Sequence, residues 1–244
     1  MSLISDKQVA QFHEQGYFVV EPQWEADELR EVADEFDRLH AEAIAAAEAE
    51  GDAERIELAK LRPFIGQAHT RSDVLKRFIK SPIYLDACAK LIGPNADLYY
   101  NQAVIKPPEK GRSFAWHQDS GYVVTDPLAY ITCWTAISRT FVDNGCIWII
   151  PGSHKWGLLP HPRNEATHEL VAQFEDESEA IPVEMQAGQV AIFSSLMLHK
   201  SGTNISREIR RGYVPQYHVP NVIGKHTGKP WGDLYPVLRD GKGV

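Results

Sequence analysis

His117 and Asp119 are separated by one residue in the run WHQD, and they are the first candidates for chemistry. On an extended chain, residues i and i+2 point to the same face, so both side chains could bind one ion. A second histidine, His199, follows an apolar run over 190–198 that is typical of a buried strand. An H-x-D tripeptide arises often by chance, and a lone histidine at a strand end is more often structural. The three residues are therefore informative only as a set.

Two neutral imidazoles and one carboxylate on one face of an octahedral ion leave three positions open. This is the facial triad of non-haem Fe(II) oxygenases, and it leaves room for O2 and a chelating cosubstrate. The same donor set also suits zinc, so a zinc hydrolase stays open as an alternative.

Arg210 is the fourth candidate, and it follows His199 after a turn-like segment over 201–204. A hairpin at this segment would return Arg210 alongside the strand of His199. A guanidinium binds a carboxylate bidentately, as the far carboxylate of 2-oxoglutarate requires when its other end chelates iron. The other interpretation of Arg210 is a surface salt bridge. Taken together, the candidates predict Fe(II), 2-oxoglutarate and O2 as cofactors.

These candidates lie within motifs that extend over most of the chain. The motifs are QVAQFHEQGYFVVEP (8–22), LIGPN (91–95), IKPP (105–108), WHQDSGY (116–122), CWTAI (133–137), NGCIWIIPGSHKWG (144–157) and LHKSGTNISREIRRGY (198–213). In letters, order and spacing they resemble the phytanoyl-CoA dioxygenase family of Fe(II)/2-oxoglutarate oxygenases.

The resemblance implies a role for each matched residue. The implied iron ligands, which form the catalytic centre, are His117, Asp119 and His199. Arg210 would hold the distal carboxylate of 2-oxoglutarate, and Ser201 would add a hydroxyl to the same group. Trp134 and Gln102 would wall the cosubstrate pocket. Because the carboxylate ligand is present, the variant used by related halogenases, which lacks it, is not indicated.

The elements that must position these residues change in character along the chain. Residues 1–95 are predicted to be a mostly helical flank, and 96–220 a β-barrel core of short segments rich in Val, Ile, Tyr, Trp and Phe. The predicted strands cover 97–106, 129–137, 145–150, 181–185, 189–195 and 211–218. With the resemblance, this predicts a mainly β fold with flanking α-helices, a double-stranded β-helix of the jelly-roll or cupin-like type. We expect one oxygenase domain over 1–244.

Three helices are predicted from their ends and their apolar faces. Ser5 and Gln8 form a capping box for a first helix, which should end at Gly16. Residues 26–49 carry apolar side chains at helical spacing with acidic residues on the other face. A third helix begins at Pro82, which suits the first helical position.

Five residues beside the metal motif or in the long loop are candidates for substrate contact. They are Trp116, Tyr122, Arg112, His161 and Arg163. The segment 152–180 has little periodicity, and at this length it is more typical of a lid or substrate loop than of a plain connection.

Composition excludes several classes of protein. The 244 residues carry a formal net charge of −8, which disfavours a nucleic-acid binder and a polybasic membrane anchor. No apolar run approaches the roughly 18 residues needed to cross a bilayer, and the first residues lack a signal-peptide core. The three cysteines lack metal-ligand spacing. We expect a cytoplasmic monomer or homodimer that acts on a small molecule.

The leading hypothesis is an Fe(II)/2-oxoglutarate-dependent dioxygenase that hydroxylates an unactivated C–H bond and releases succinate and CO2. Basic residues near the site hint at an anionic metabolite as the substrate. Desaturation, cyclisation or epimerisation by the same iron machinery are alternatives. A non-catalytic metal-containing binder of small molecules is a further alternative, which consumption of the cosubstrate would separate from an enzyme.

Overall fold

The helices precede most of the strands along the chain. The computed structural model describes residues 2–61, 64–108, 113–165, 169–231 and 234–244. Its α-helices in these ranges are α1 (Asp6–Gln15), α2 (Ala26–Glu50), α3 (Ala53–Leu61), α4 (Asp73–Phe78) and α5 (Pro82–Leu91). The predicted capping box is confirmed, since Ser5 and Gln8 each accept from the other's backbone N–H. Gly16, with φ of 83°, ends α1 in the left-handed conformation that favours glycine.

Most of the described strands are short, and two are longer than the rest. They are β1 (Tyr17–Val20), β2 (Phe64–Gly66), β3 (Ala96–Lys106), β4 (Phe114–His117), β5 (Thr125–Asp126), β6 (Ile131–Ala136), β7 (Ile147–Ile149), β8 (Ile181–Val183), β9 (Val190–Ser194), β10 (His199–Ser201), β11 (Arg210–His218), β12 (Ile223–Gly224), β13 (Lys229–Pro230), β14 (Tyr235–Arg239) and β15 (Lys242–Gly243). All six predicted strands are present.

The strands form three antiparallel sheets. The largest has the order β1-β9-β6-β11-β3-β14-β15, with β2 also paired to β3. A second sheet has the order β4-β10-β7-β8, and a small third sheet has the order β13-β12-β5. Apolar side chains of the first two sheets share one cluster, in which Trp134 and Val214 meet Ile147 and Val183. The two sheets therefore face each other, as in the predicted jelly-roll barrel.

The flanking helices cover the outer face of the large sheet. One buried cluster joins α2, α4 and α5 to the residues of β3, β6, β9 and β11 that face the helices. In it, the ring of Phe36 meets Tyr213 edge-on at a centroid distance of 5.7 Å. The segment before residue 96 also supplies β1 and β2 to this sheet, and residues 235–243 extend it beyond β3. The interpretation of 1–244 as one domain stays a prediction.

Two local expectations about the site strands are wrong. The apolar run before His199 is not one strand, because β9 ends at Ser194 and His199 begins β10 in the other sheet. The segment after Ser201 is not a hairpin, because β11 pairs with β3 and β6 rather than with β10. Residues 202–209 instead cross from one sheet to the other, so Arg210 lies in the sheet opposite the one that carries His199.

Phe36→Ala should lower the free energy of unfolding by about 3–5 kcal/mol, because the ring is fully buried between α2 and the large sheet. Urea unfolding followed by circular dichroism measures the change. Arg30→Ala is the matched control on the exposed face of α2, where the loss should stay within about 0.5 kcal/mol. Equal losses in the two variants would contradict this account of the core.

Candidate active site

The two histidines are cross-strand neighbours. His117 is the last residue of β4 and His199 the first of β10, and the two are directly paired in the antiparallel ladder. Their ring centroids are 4.1 Å apart, and both residues are buried. Because paired residues of adjacent strands project to the same face, both rings point into the barrel.

Asp119 joins them through a change of backbone conformation. Gln118 is extended, with φ of −113° and ψ of 137°, and Asp119 begins a 3-10 turn that ends at Gly121. The carboxylate oxygen Oδ1 lies 3.9 Å from Nε2 of His117 and 3.6 Å from Nε2 of His199. One ligand atom from each of the three residues lies within 4.8 Å of the others, a spacing that a single ion can bridge.

Backbone carbonyls orient both imidazoles. Nδ1 of His117 lies 2.8 Å from the carbonyl oxygen of Ala115, and Nδ1 of His199 lies 3.0 Å from that of Met197. A carbonyl only accepts, so each Nδ1 carries the proton and donates it. Each ring thus turns Nε2, the nitrogen that would bind a metal, towards Asp119.

A hydroxyl orients the carboxylate in the same way. Thr132 on β6 donates to Oδ2 of Asp119 at 2.5 Å, and Gln216 on β11 donates to the Thr132 hydroxyl at 3.2 Å. Since Oδ2 is occupied, Oδ1 is left for a metal. Two nitrogens and one oxygen on one face, with the other side open to a cavity, fit Fe(II) with exchangeable positions.

Arg210 is a buried cation with unused donors. Its Nη2 donates to the carbonyl oxygen of Gly145 at 3.0 Å, whereas Nε and Nη1 have no hydrogen-bond partner among the described residues. Burial lowers the pKa of the guanidinium to about 10, so it stays charged at neutral pH. A buried charge left without a counter-ion is destabilising, and a guanidinium binds a carboxylate more strongly than it binds a neutral acceptor.

The residues around Arg210 are those to which the family resemblance assigns the cosubstrate pocket. The guanidinium carbon lies 5.1 Å from the ring centroid of Trp134, in cation–π contact. That indole packs so closely on β11 that a Cβ at Gly212 would lie 2.4 Å from it. Ser201 and Gln102 line the same cavity. The arrangement fits the carboxylate of a 2-oxoglutarate molecule that reaches towards the triad.

The cavity has a volume of about 1150 Å³ and connects the triad to Arg210. At the metal end its walls are aromatic, and they are Tyr99, Tyr100, Phe114, Tyr122, Tyr130 and Trp231. At the other end it reaches small side chains of α2 and α3, which are Ala43, Ala47 and Ala59. A cavity of this size has room for a second molecule beside the cosubstrate.

Comparison with known families decides the identity. The family model described as phytanoyl-CoA dioxygenase (PhyH) matches residues 12–212. The chain belongs to the phytanoyl-CoA dioxygenase family. It is accordingly an Fe(II)/2-oxoglutarate-dependent oxygenase, and its cofactors are Fe(II) and 2-oxoglutarate.

Similar proteins come from distant organisms. A probable phytanoyl-CoA dioxygenase of Caenorhabditis elegans is 28% identical over 240 residues, which cover 88% of this chain and 76% of that protein. The peroxisomal phytanoyl-CoA dioxygenase of Homo sapiens is 30% identical over 148 residues, covering 56% of this chain and 44% of that protein. No helix among the described residues is long and apolar enough to cross a membrane. Since the human relative is named as peroxisomal, the cytoplasmic location stays a prediction.

Solved structures share the fold. The apo form of the non-heme monooxygenase ThoJ superposes with a TM-score of 0.73 at 27% identity, covering 95% of this chain and 83% of that one. The epimerase SnoN, in complex with Fe3+, alpha ketoglutarate and nogalamycin RO, superposes with a TM-score of 0.71 at 20% identity, covering 97% and 96%. At this lower identity the second likeness concerns the fold alone. The predicted double-stranded β-helix is confirmed.

The five candidates for substrate contact have different placements in this member of the family. Tyr122 lines the cavity and meets the His117 ring edge-on at 5.5 Å. Trp116 lies on the opposite face of β4 and packs with Leu198 outside the cavity, so a substrate contact does not fit its position.

His161 and Arg163 also lie away from the cavity walls that the structure describes. Nε2 of His161 accepts from the backbone N–H of Gln118 at 2.9 Å, so this ring supports the metal-binding loop. Arg163 is exposed and forms an isolated bridge with Leu170. Arg112 lies outside the described residues.

Sequence reasoning missed several residues of the site. Thr132 shares a face of β6 with Trp134, and the alternation of a strand would have placed its hydroxyl in the barrel. Gln216 follows Arg210 and Val214 on the same face of β11, so the same rule applies. Trp231 gives no such signal, because it belongs to a loop that only the tertiary fold brings to the cavity.

His218 lies behind the aromatic wall of the cavity, and it should make the free energy of unfolding depend on pH. It is buried beside Tyr99 and Tyr130, and burial lowers its pKa to about 4. An unfolded chain would bind a proton below about pH 6.5 while the folded protein stays neutral, so the free energy of unfolding falls as the pH drops from 6.5 towards 4.

We expect His218→Gln to remove this dependence, because glutamine cannot be protonated. Between pH 7.5 and pH 5 the wild type should lose about 1–2 kcal/mol more stability than the variant. Chemical denaturation of the metal-free proteins at both pH values measures the difference. Parallel losses in the two proteins would show that His218 is not the group responsible.

Proposed function

We propose that this oxygenase hydroxylates an unactivated C–H bond of a small-molecule substrate and releases succinate and CO2. One observation carries the proposal. The open side of the His117, Asp119 and His199 set and the unused donors of Arg210 face one cavity from opposite sheets. A dicarboxylate cosubstrate can join the two, and the remaining volume is left for the molecule to be oxidised.

The triad residues would hold the iron through Nε2 of each histidine and Oδ1 of Asp119. Bound there, Fe(II) supplies the activation of O2 that is coupled to the oxidative decarboxylation of 2-oxoglutarate. Thr132 would keep the carboxylate in position, so that all three ligand atoms approach the metal from one side and the cavity gives the cosubstrate and O2 access to it. The aromatic walls exclude bulk water, which protects a reactive site from side reactions.

Arg210 would bind the distal carboxylate of 2-oxoglutarate, and Ser201 would add a hydroxyl to the same group. Trp134 forms the wall that keeps the distal carboxylate of 2-oxoglutarate aligned with the guanidinium of Arg210. Gln102, whose strand lies beside β11, completes this wall. These residues fix where the keto-acid end reaches, and they take no part in breaking the substrate bond.

The substrate is proposed to be mainly apolar at the end that approaches the iron, because that end of the cavity is aromatic. The preference for an anionic metabolite gains no support from the described part of the chain. Of the described cations that line the cavity, Lys200 is paired with Glu177 and Arg55 with Glu50. Arg210 is assigned to the cosubstrate.

Other reactions of the same machinery are separated by their products. Desaturation, cyclisation and epimerisation consume the same cofactors, and a solved neighbour of this fold is an epimerase. A zinc hydrolase would use the triad but would leave the buried guanidinium without a role. A non-catalytic binder would take up 2-oxoglutarate without consuming it.

His117→Ala should abolish O2-dependent release of succinate from 2-oxoglutarate, because two ligands on one face hold Fe(II) poorly. Anaerobic titration of Fe(II) and 2-oxoglutarate into metal-free protein, followed by the visible charge-transfer absorption, measures the cofactor complex directly. Wild type should develop the band and the variant should not. Full turnover in the variant would overturn the ligand assignment. Bound iron without the band in wild type would favour the hydrolase or the binder.

Arg210→Gln should raise the 2-oxoglutarate concentration needed for half-maximal activity on the order of 100-fold, because a buried charged partner is lost. Fe(II) binding should stay close to that of wild type. The matched control is Arg211→Gln, since the neighbouring Arg211 points outward and pairs with Asp37 at 2.7 Å. A large effect of the control, or none of Arg210→Gln, would contradict the assignment.

A further inference from the structure

The strand that ends at His117 needs support from outside its sheet. β4 is the edge strand of its sheet, and its ladder to β10 shifts register between His199 and Ser201. A short edge strand with one irregular ladder is a weak base for a ligand that must be held to a fraction of an ångström. On the open side of β4 lies a segment that we name the strap, residues 157–165 and 169–177.

The strap fills the outward hydrogen-bonding positions of the metal-binding segment. The N–H of Ala172 donates to the carbonyl oxygen of Trp116 at 2.8 Å. The N–H of Gln118 donates to Nε2 of His161 at 2.9 Å. These contacts lie on the side of the segment away from β10. Only Glu169 of the strap's described residues lines the cavity, so most of this segment braces the site from behind.

The side chain of Gln118 joins the strap to the second histidine. Its amide donates to the carbonyl oxygens of Gly157 at 2.8 Å and Leu196 at 2.7 Å, and its Oε1 accepts from the N–H of Leu159 at 2.8 Å. Leu196 lies in the turn that leads into His199. A fully buried amide therefore fixes the strap to both segments that carry the ligands.

One carboxylate links β4 and β10 on the face that is turned away from the cavity. Glu177 accepts from Nε1 of Trp116 and from Nζ of Lys200, the latter at 2.9 Å. The same ammonium lies 4.6 Å from the ring centroid of Trp116. Trp116 directly precedes His117, and Lys200 directly follows His199. Glu177 thus connects the immediate neighbours of both histidine ligands without entering the cavity.

We propose that Glu177 is a positioning residue for the metal site, which acts by holding β4 and β10 at the spacing that converges the two imidazoles. An exposed ion pair alone contributes little to stability. This carboxylate does more, because without it the Trp116 indole loses its acceptor and the strap loses its tie to β10. The inference rests on the metal centre of the proposed function and does not depend on which substrate is oxidised.

The test measures binding of Co(II) to metal-free full-length protein by competition with a chelator, together with the visible ligand-field spectrum of the bound ion. Glu177→Ala should weaken Co(II) binding about threefold to tenfold and change the spectrum, because it removes the oxygen that accepts from Trp116 and Lys200, and partners beyond the ligands tune affinity and geometry. Its thermal midpoint should stay close to that of wild type. Glu179→Ala, which changes an exposed carboxylate two residues beyond the end of the strap, is the matched control and should resemble wild type in all three measurements.

Wild-type affinity and spectrum in Glu177→Ala would overturn the proposal, as would an equal change in Glu179→Ala. If Glu177→Ala does not fold, Lys200→Met and Lys200→Arg decide. Loss of affinity in Lys200→Met with recovery in Lys200→Arg supports the tie, and wild-type binding in Lys200→Met refutes it. A protein that binds Co(II) as expected but oxidises no substrate would contradict the proposed function and leave this comparison intact.

Discussion

The direct pairing of His117 with His199 across two antiparallel strands is the constraint on which the site depends. In an extended strand a slip of one residue moves every side chain to the other face, so the ladder between β4 and β10 decides whether two imidazoles or two other residues point inward. Each ring is also held by the carbonyl oxygen two residues earlier in the sequence. The register thus decides which two side chains meet, and the local contacts orient them.

The large sheet supplies the cation that the sheet of the two histidines lacks. Arg210 begins β11, so the cation that would hold the cosubstrate lies across the barrel from the triad. Burial of an unpaired guanidinium destabilises the empty protein, and binding of a carboxylate relieves this cost. A ligand that binds only the folded state also stabilises it by mass action, so the cosubstrate and the barrel support each other.

Much of this could be predicted from the sequence, and the errors have identifiable physical causes. The triad and Arg210 come from residue types in a recognised order, and the capping box of α1 comes from local hydrogen bonding. The segment after Ser201 is predicted to be a hairpin because its turn residues indicate a reversal of the chain. Turn residues do not indicate with which strand the next segment pairs. That choice depends on the packing of two sheets, which no local pattern contains.

The placement of Trp116 could be predicted from the alternation of side chains along an extended strand. The rule that puts His117 and Asp119 on one face puts Trp116 and Gln118 on the other, where they serve the strap rather than the substrate. His161 was less accessible, because its contact with the Gln118 backbone joins distant parts of the chain. A long loop beside an active site suggests a lid, yet a loop can equally well fill the open edge of a strand.

The contrast between the two faces of β4 also bears on how one fold can serve different oxidations. The inward face, the carboxylate-binding arginine and the bracing contacts behind the triad all concern the metal and its cosubstrate. The aromatic wall has members on strands, which are Tyr99 and Tyr100 of β3 and Phe114 of β4, and members between strands, which are Tyr122, Tyr130 and Trp231. Loop residues can change without disturbing the register of the ladder, and binding residues concentrate on such loops. Tyr122, Tyr130 and Trp231, the members of the wall that lie between strands, can therefore vary while the pairing of the histidines stays fixed.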